Sequence, residues 1–162
     1  MLGRDAAPHH TGGGYEYVHS LVDDHTRFAY SEILDDEKAE TCAAFLLRAA
    51  EAFSQVDIQF KELLTDNARM YRYAHVFRAA TAQLGIHQIF TRPRRPQTNG
   101  KVERYNRTFL NEWAYVRLYR SNSERRRLLN AWLHRYNYHR SHTALGGLPP
   151  VSRVNNLSGN YT

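Results

Sequence analysis

Two runs of aromatic and β-branched residues, followed at once by helical periodicity, constrain this chain more than any other feature. Residues 15–22 and 27–34 are the two runs, and Asp23-Asp24-His25-Thr26 between them is a turn-forming cluster. Such a pair reads as a β-hairpin. Asp35-Asp36 then supplies an N-cap, with acids at the positive end of a helix dipole. The helix runs to about Ser54 and places Cys42, Phe45, Leu46, Ala49 and Phe53 on one stripe. Residues 60–65 form a short strand that ends at Asp66-Asn67. A second helix over about 71–84 turns Val76, Phe77, Ala80 and Leu84 inward and stops at Gly85. Residues 86–90 add another strand, and the order β-β-α-β-α-β implies an α/β fold with a mixed sheet.

The rest of the chain is helical and basic. Residues 91–99 set Pro93 and Pro96 among Arg92, Arg94 and Arg95, which makes a rigid basic loop. A helix resumes at Gly100 and runs to about Tyr119. Ser121-Asn122-Ser123-Glu124 matches a capping box and opens a last helix, with Leu128, Leu129, Trp132, Leu133 and Tyr136 on one face. Gly146-Gly147 and Pro149-Pro150 end regular structure. At 162 residues the chain supports one domain with a real core, expected over 15–153. Residues 1–14 read as a disordered, glycine-broken tail and 154–162 as a C-terminal tail.

Charge divides the chain sharply. Residues 1–66 carry 5 Lys+Arg against 13 Asp+Glu; residues 67–162 carry 17 against 3. The overall +6 therefore conceals an acidic half and a strongly basic one, and the basic half suits a polyanion, nucleic acid first among them. No apolar run approaches the roughly 20 residues a membrane span needs. The first residues do not resemble a secretion signal. A single cysteine, Cys42, excludes an internal disulfide framework and any Cys-rich zinc site. A cytoplasmic protein without membrane contact is the expectation.

Two acids carry the candidate chemistry. Asp66 sits where an apolar strand ends, a place where α/β proteins put reactive groups, although Asp-Asn is also ordinary turn chemistry. Only three acids follow it: Glu103, Glu112 and Glu124. Glu124 belongs to the capping box and Glu112 can pair along its helix. Glu103 stands between Lys101 and Arg104 in the first turn of a helix, where a negative charge is favourable in any case. A carboxylate kept among cations is also what a divalent metal needs beside a phosphate substrate. His139 and His142 lack the partners of a zinc site. Arg125-Arg126-Arg127 reads as a solvated helix face, and Trp113 and Trp132 as packing residues.

Leu64-Thr65-Asp66-Asn67, followed by Thr91-Arg92-Pro93-Arg94-Arg95-Pro96-Gln97-Thr98-Asn99-Gly100-Lys101-Val102-Glu103-Arg104, resembles the second half of a DDE catalytic core. This is the core of bacterial insertion-sequence transposases and retroviral-type integrases. Val22-Asp23-Asp24-His25-Thr26-Arg27 and the closing stretch from Tyr136-Asn137-Tyr138-His139-Arg140 to Gly147 support the likeness. It covers about residues 15–153. The resemblance implies an RNase H-like mixed sheet flanked by helices, and three carboxylates holding two Mg²⁺ or Mn²⁺ ions. It implies DNA cleavage and strand transfer during integration or transposition, with DNA as partner and action as a transposase multimer. Asp66 and Glu103, 37 positions apart, take the second and third carboxylate places, as catalytic and metal-binding residues.

The first Asp of the family lies on a central strand upstream of residues 15–22. Asp5 has no strand-like neighbours, and Asp23 and Asp24 sit in the hairpin turn. The expectation is a chain truncated at its N-terminus, without that strand and without an upstream DNA-binding region. Ala68, where the family commonly has Gly, is expected to alter the loop beside Asp66. Arg92, Arg94, Arg95, Lys101, Arg104 and Arg107 are candidates to neutralise DNA phosphates, with Gln97, Thr98 and Asn99 as polar contacts. Two other readings stand beside the transposase: a non-catalytic DNA-binding remnant, and a metal-dependent nuclease of the same fold.

Overall fold

The computed structural model describes residues 17–91, 100–114, 116, 119 and 121–154. In chain order the elements are β1 Tyr17–Val22, β2 Ala29–Leu34, α1 Ala39–Ser54, β3 Glu62–Thr65, α2 Arg69–Arg72 and α3 His75–Gln83. They continue with β4 His87–Phe90, α4 Gly100–Phe109, a π-helical turn Leu110–Ala114 and α5 Asn122–Tyr138. Two 3-10 turns, Thr143–Leu145 and Pro150–Arg153, complete the order.

β1 and β2 pair antiparallel from Tyr17↔Leu34 to Val22↔Ala29, as the turn cluster between them dictates. Asp23 Oδ2 accepts from the Thr26 N–H and hydroxyl, both at 2.7 Å, and so holds that turn closed. β3 and β4 pair parallel from Glu62↔His87 to Thr65↔Phe90, joined by the α2–α3 crossover. The two pairs are separate two-stranded sheets. Between them lies a small apolar slot, edged by Ser20 and Leu21 of β1 and by Leu63, Leu64 and Thr65 of β3. Cys42, Phe45 and Leu46 of α1 also line it. The RNase H-like mixed sheet is thus present as two flanking halves, and among the described residues no strand lies between β1 and β3.

Each face of the hairpin meets a different core. Along β2, Ala29, Ser31 and Ile33 are buried, whereas the middle of β1 is buried on both faces. One core gathers the α1 stripe (Cys42, Phe45, Leu46, Ala49 and Phe53) with Phe77 and Ala80 of α3 and with Leu63 and Ile86. The other is dominated by aromatic rings: Tyr105, Phe109, Trp113, Trp132 and Tyr136 pack with Val18, Ala29 and Ile33. Burying one such side chain is worth about 1.5–3 kcal/mol. Asn137 bolts α5 to β2 by bonding both backbone groups of Ala29, donating to its carbonyl at 2.8 Å and accepting from its N–H at 2.9 Å.

Several sequence expectations change. Asp35 and Asp36 do not cap α1: Lys38 holds the N-cap place. Asp36 instead accepts from the Lys38 N–H at 3.0 Å and the Thr41 hydroxyl at 2.5 Å. These bonds, Thr41's first, hold its carboxyl down to about 2. The helix expected over 71–84 is broken at Ala74, whose backbone is extended. On a continuous helix residues 71 and 77 would point about 120° apart. The break lets Tyr71 and Phe77 meet edge to face at 4.9 Å in one core, and leaves Val76 exposed. The helix from Gly100 does not continue to Tyr119 but passes into the π turn. Glu112 pairs not along its own helix but with Arg140, through a bidentate contact as short as 2.6 Å. Arg125 is buried over the Trp113 ring rather than solvated, and Arg126 reaches Asp35 at 3.1 Å.

Candidate active site

Asp66 follows the last residue of β3, at the C-terminal end of the parallel pair. The Thr91 N–H bonds the Thr65 carbonyl at 2.9 Å, and Asn67 Nδ2 donates to the Thr91 carbonyl at 2.8 Å. The chain therefore leaves β4 directly beside Asp66, toward residues 92–99. Asp66 Oδ1 accepts from the Ala68 N–H at 2.8 Å, an Asx turn that orients the carboxylate and leaves its second oxygen without a partner among the described residues. Ala68 has φ −59° and ψ 144°, so no glycine-like conformation is required. The side chain of Asp66 closes this turn, with Ala68 in an ordinary extended conformation.

Glu103 lies exposed in the first turn of α4, with no hydrogen-bond or ion-pair partner among the described residues. What aims it is Tyr105, whose hydroxyl meets Ser31 Oγ at 2.6 Å; Ser31 Oγ in turn meets Ser20 Oγ at 2.8 Å. Residues two apart on a helix point about 200° apart, so burying Tyr105 turns Glu103 outward. Burial pushes the Tyr105 phenol up, and it stays a neutral hydrogen-bonding group. Lys101 pins the same turn of α4 to the Asp24 carboxylate in the hairpin turn. The other acids considered for the first carboxylate are otherwise engaged or outside the described residues. Asp23 is tied into its turn, Asp24 pairs with Lys101, and Asp5 lies outside.

Asp66 and Glu103 are hard oxygen donors, the kind that Mg²⁺ and Mn²⁺ take. They fit such an ion in kind. Among the described residues, however, no group of three or more His, Cys, Asp and Glu is placed to hold one. Cys42 adds nothing, being fully buried with its thiol pushed up to about 11 by that burial. His139 contacts His134 at 3.4 Å on the exposed end of α5, and no third ligand joins the pair among the described residues.

Of the expected DNA contacts, Arg92, Arg94, Arg95, Gln97, Thr98 and Asn99 lie outside the described residues. Lys101, Arg104 and Arg107 share one wall of a cavity between α4 and the C-terminal end of α5. Arg27 and Arg140 line the same cavity, and sequence reasoning assigned neither of them a role there. The only signal for them was their place in the turn and closing segments that carried the family likeness.

Two family profiles, both described as Integrase core domain, match residues 5–96 and 84–150. The chain belongs to the integrase core domain family. Asp66 falls within the first match of this integrase core, and Glu103 within the second. Over 132 residues the chain is 28% identical to the insertion element IS476 protein of Xanthomonas euvesicatoria, across 82% of its own length and 37% of the relative's. It is 23% identical over 154 residues to a protein named as an integrase, ORF3, of Spiroplasma virus SpV1-C74, covering 88% of the chain and 42% of that protein. The integrase core thus spans about two fifths of the curated relatives it matches. Among solved structures, it superposes with a TM-score of 0.70 on a chain of the simian T-cell lymphotropic virus intasome bound to the PP2A regulatory subunit B56 gamma. That match covers 91% of this chain and 50% of the other at 19% identity, and shows a shared fold. No helix among the described residues is long and apolar enough to cross a membrane.

Proposed function

We propose that this integrase core serves a transposase or integrase that cleaves DNA phosphodiesters and joins strands. The observation that carries the reading is Asp66: a carboxylate with one oxygen held by Ala68 and the other without a partner among the described residues, at the C-terminal ends of a parallel strand pair. Asp66 and Glu103 are the residues that would hold Mg²⁺ or Mn²⁺. Bound there, a divalent ion would supply Lewis-acid stabilisation to the attacking and leaving oxygens of a phosphodiester. Lys101, Arg104 and Arg107 would neutralise backbone phosphates beside Glu103, together with the arginines of residues 92–99. DNA is the proposed partner and a multimer the proposed working state, in keeping with the intasome from which the structural neighbour comes.

The test is strand transfer with a donor DNA end and Mg²⁺ or Mn²⁺, comparing the chain with Asp66→Asn and Glu103→Gln. Joining that both substitutions abolish while DNA binding survives supports the assignment. Joining that neither reduces overturns it. A second reading, a DNA-binding remnant without catalysis, is favoured by the lack of a three-ligand metal group among the described residues. DNA binding without joining by the wild-type chain selects it.

A further inference from the structure

A cavity of about 430 Å³ lies between α4 and the turn that follows α5. Its described lining carries five cationic side chains, Arg27, Lys101, Arg104, Arg107 and Arg140, and no carboxylate. Gathering five like charges around one hollow is unfavourable unless something anionic offsets it. Two acids do so in part from the edges: Asp24 pairs with Lys101 and Arg27, and Glu112 with Arg140. Arg104 and Arg107 have no ion-pair partner among the described residues, and the hollow keeps an excess of positive charge.

The walls are built rather than incidental. Arg140 is clamped by both oxygens of Glu112, and its guanidinium lies 6.0 Å from the centre of the Tyr136 ring. The turn beyond it is closed by Ser141 Oγ donating to the Gly147 carbonyl at 2.8 Å and by the Gly147 N–H bonding the His142 carbonyl at 2.9 Å. Arg27 occupies a left-handed backbone conformation, φ 66°, that Gly or Asn would take at lower cost. Arg27 lines the hollow from this turn, with its guanidinium bonded to the Asp24 carbonyl and 3.7 Å from the Asp24 carboxylate.

We infer that this cavity is a second phosphate-binding surface, which takes the backbone of a DNA strand and extends the contact from α4 onto Arg140 and the Thr143 turn. The inference rests on the DNA reading above but assigns residues that reading does not contain. The guanidinium forks of Arg104 and Arg107 suit phosphodiester oxygens, while Arg140, its own fork held by Glu112 and its Nη1 at 3.3 Å from the Ser141 carbonyl, adds positive charge to the opposite wall.

The test is a DNA titration of the full 162-residue chain at several salt concentrations, with thermal melts of every variant to confirm folding. Thr143→Glu places a negative charge at the exposed mouth without touching the Glu112–Arg140 pair. Arg140→Gln removes one wall, and Arg78→Gln on α3 is a control of equal charge change. The expected result is that Thr143→Glu and Arg140→Gln each make the slope of log K against log salt shallower by about 0.9, one phosphate's worth. Arg78→Gln should leave it unchanged. If the wild-type chain binds DNA and both cavity variants keep its slope, the inference fails while the DNA reading stands. An equal loss in Arg78→Gln also overturns it, since net charge alone would then explain the effect. Uptake of inorganic tripolyphosphate sensitive to Thr143→Glu, without DNA binding, overturns the DNA strand as occupant.

Discussion

The two carboxylates of the candidate site are held in opposite ways. Asp66 is organised by its own neighbours: the Asx turn to Ala68 and the Asn67 bond to Thr91 lie within one loop and the adjoining strand. Glu103 has no partner among the described residues and takes its direction from α4, which is fixed by contacts far along the chain. These are Tyr105 to Ser31, Lys101 to Asp24, and the aromatic packing of Phe109 and Trp132 at 5.2 Å. One half of the site therefore survives on local chemistry, and the other depends on the whole tertiary structure.

The largest break in that comparison is Phe109→Ala. Phe109 is 3% exposed within the aromatic core, and its truncation should cost about 3–5 kcal/mol. Thermal unfolding should show that loss, while the Ala68 amide resonance, which reports the Asp66 turn, keeps its native shift below the melting point. A shifted Ala68 amide would show that the two halves are coupled.

Tyr105→Phe is the narrower cut. It removes one hydroxyl from a buried chain of three and should cost about 1–2 kcal/mol, by leaving the Ser31 hydroxyl one partner short. Protection of α4 amides from hydrogen exchange should fall more than protection in α1. An even loss across both helices would mean that Tyr105 does not set α4 separately.

Asn67→Ala addresses the local half. Loss of its bond to the Thr91 carbonyl should cost about 0.5–1.5 kcal/mol and loosen the Asp66 end without altering α4. Exchange measured at Thr91 and at Tyr105 separates these outcomes.

The smallest effect lies outside both halves and serves as a baseline. Burial alone would raise the Glu32 carboxyl, but hydrogen bonds from Arg48 and Tyr30 outweigh it and leave the group below its ordinary value of 4.5. A depressed carboxyl contributes stability above its unfolded value and loses it as pH falls through the folded one. The Arg48 partner is partly exposed, so the contribution is a few tenths of a kcal/mol. Glu32→Gln should flatten the decline in stability below about pH 4.5 by that amount, read from denaturant melts across pH.

Much of the fold was legible because it is written in local periodicity. The hairpin, the α1 stripe, the Gly85 stop and the Ser121 cap each depend on residues within one turn or one strand of each other. The Ser121 hydroxyl accepts from the Glu124 N–H at 3.1 Å, as the capping-box pattern predicts, and Gly85 takes φ 65°. The misreadings differ in range. The Glu112–Arg140 pair is settled by a partner far along the chain, whereas the Ala74 break and the Asp36 bonds turn on which of several near neighbours a side chain meets, Phe77 for Tyr71 and Thr41 for Asp36.

The same division holds for the site. The residues alone determined that Asp66 ends a strand, that Glu103 opens a helix, and that the basic charge gathers in the second half, because strand ends, helix caps and composition are local quantities. Only the tertiary structure decided that Tyr105 turns Glu103 outward and that β1 and β3 stay apart across an apolar slot. It alone also brought Arg27 and Arg140 from opposite ends of the chain to one cavity. Those outcomes depend on which buried faces meet, and burial is won by the chain as a whole, whatever the separation of its residues in sequence.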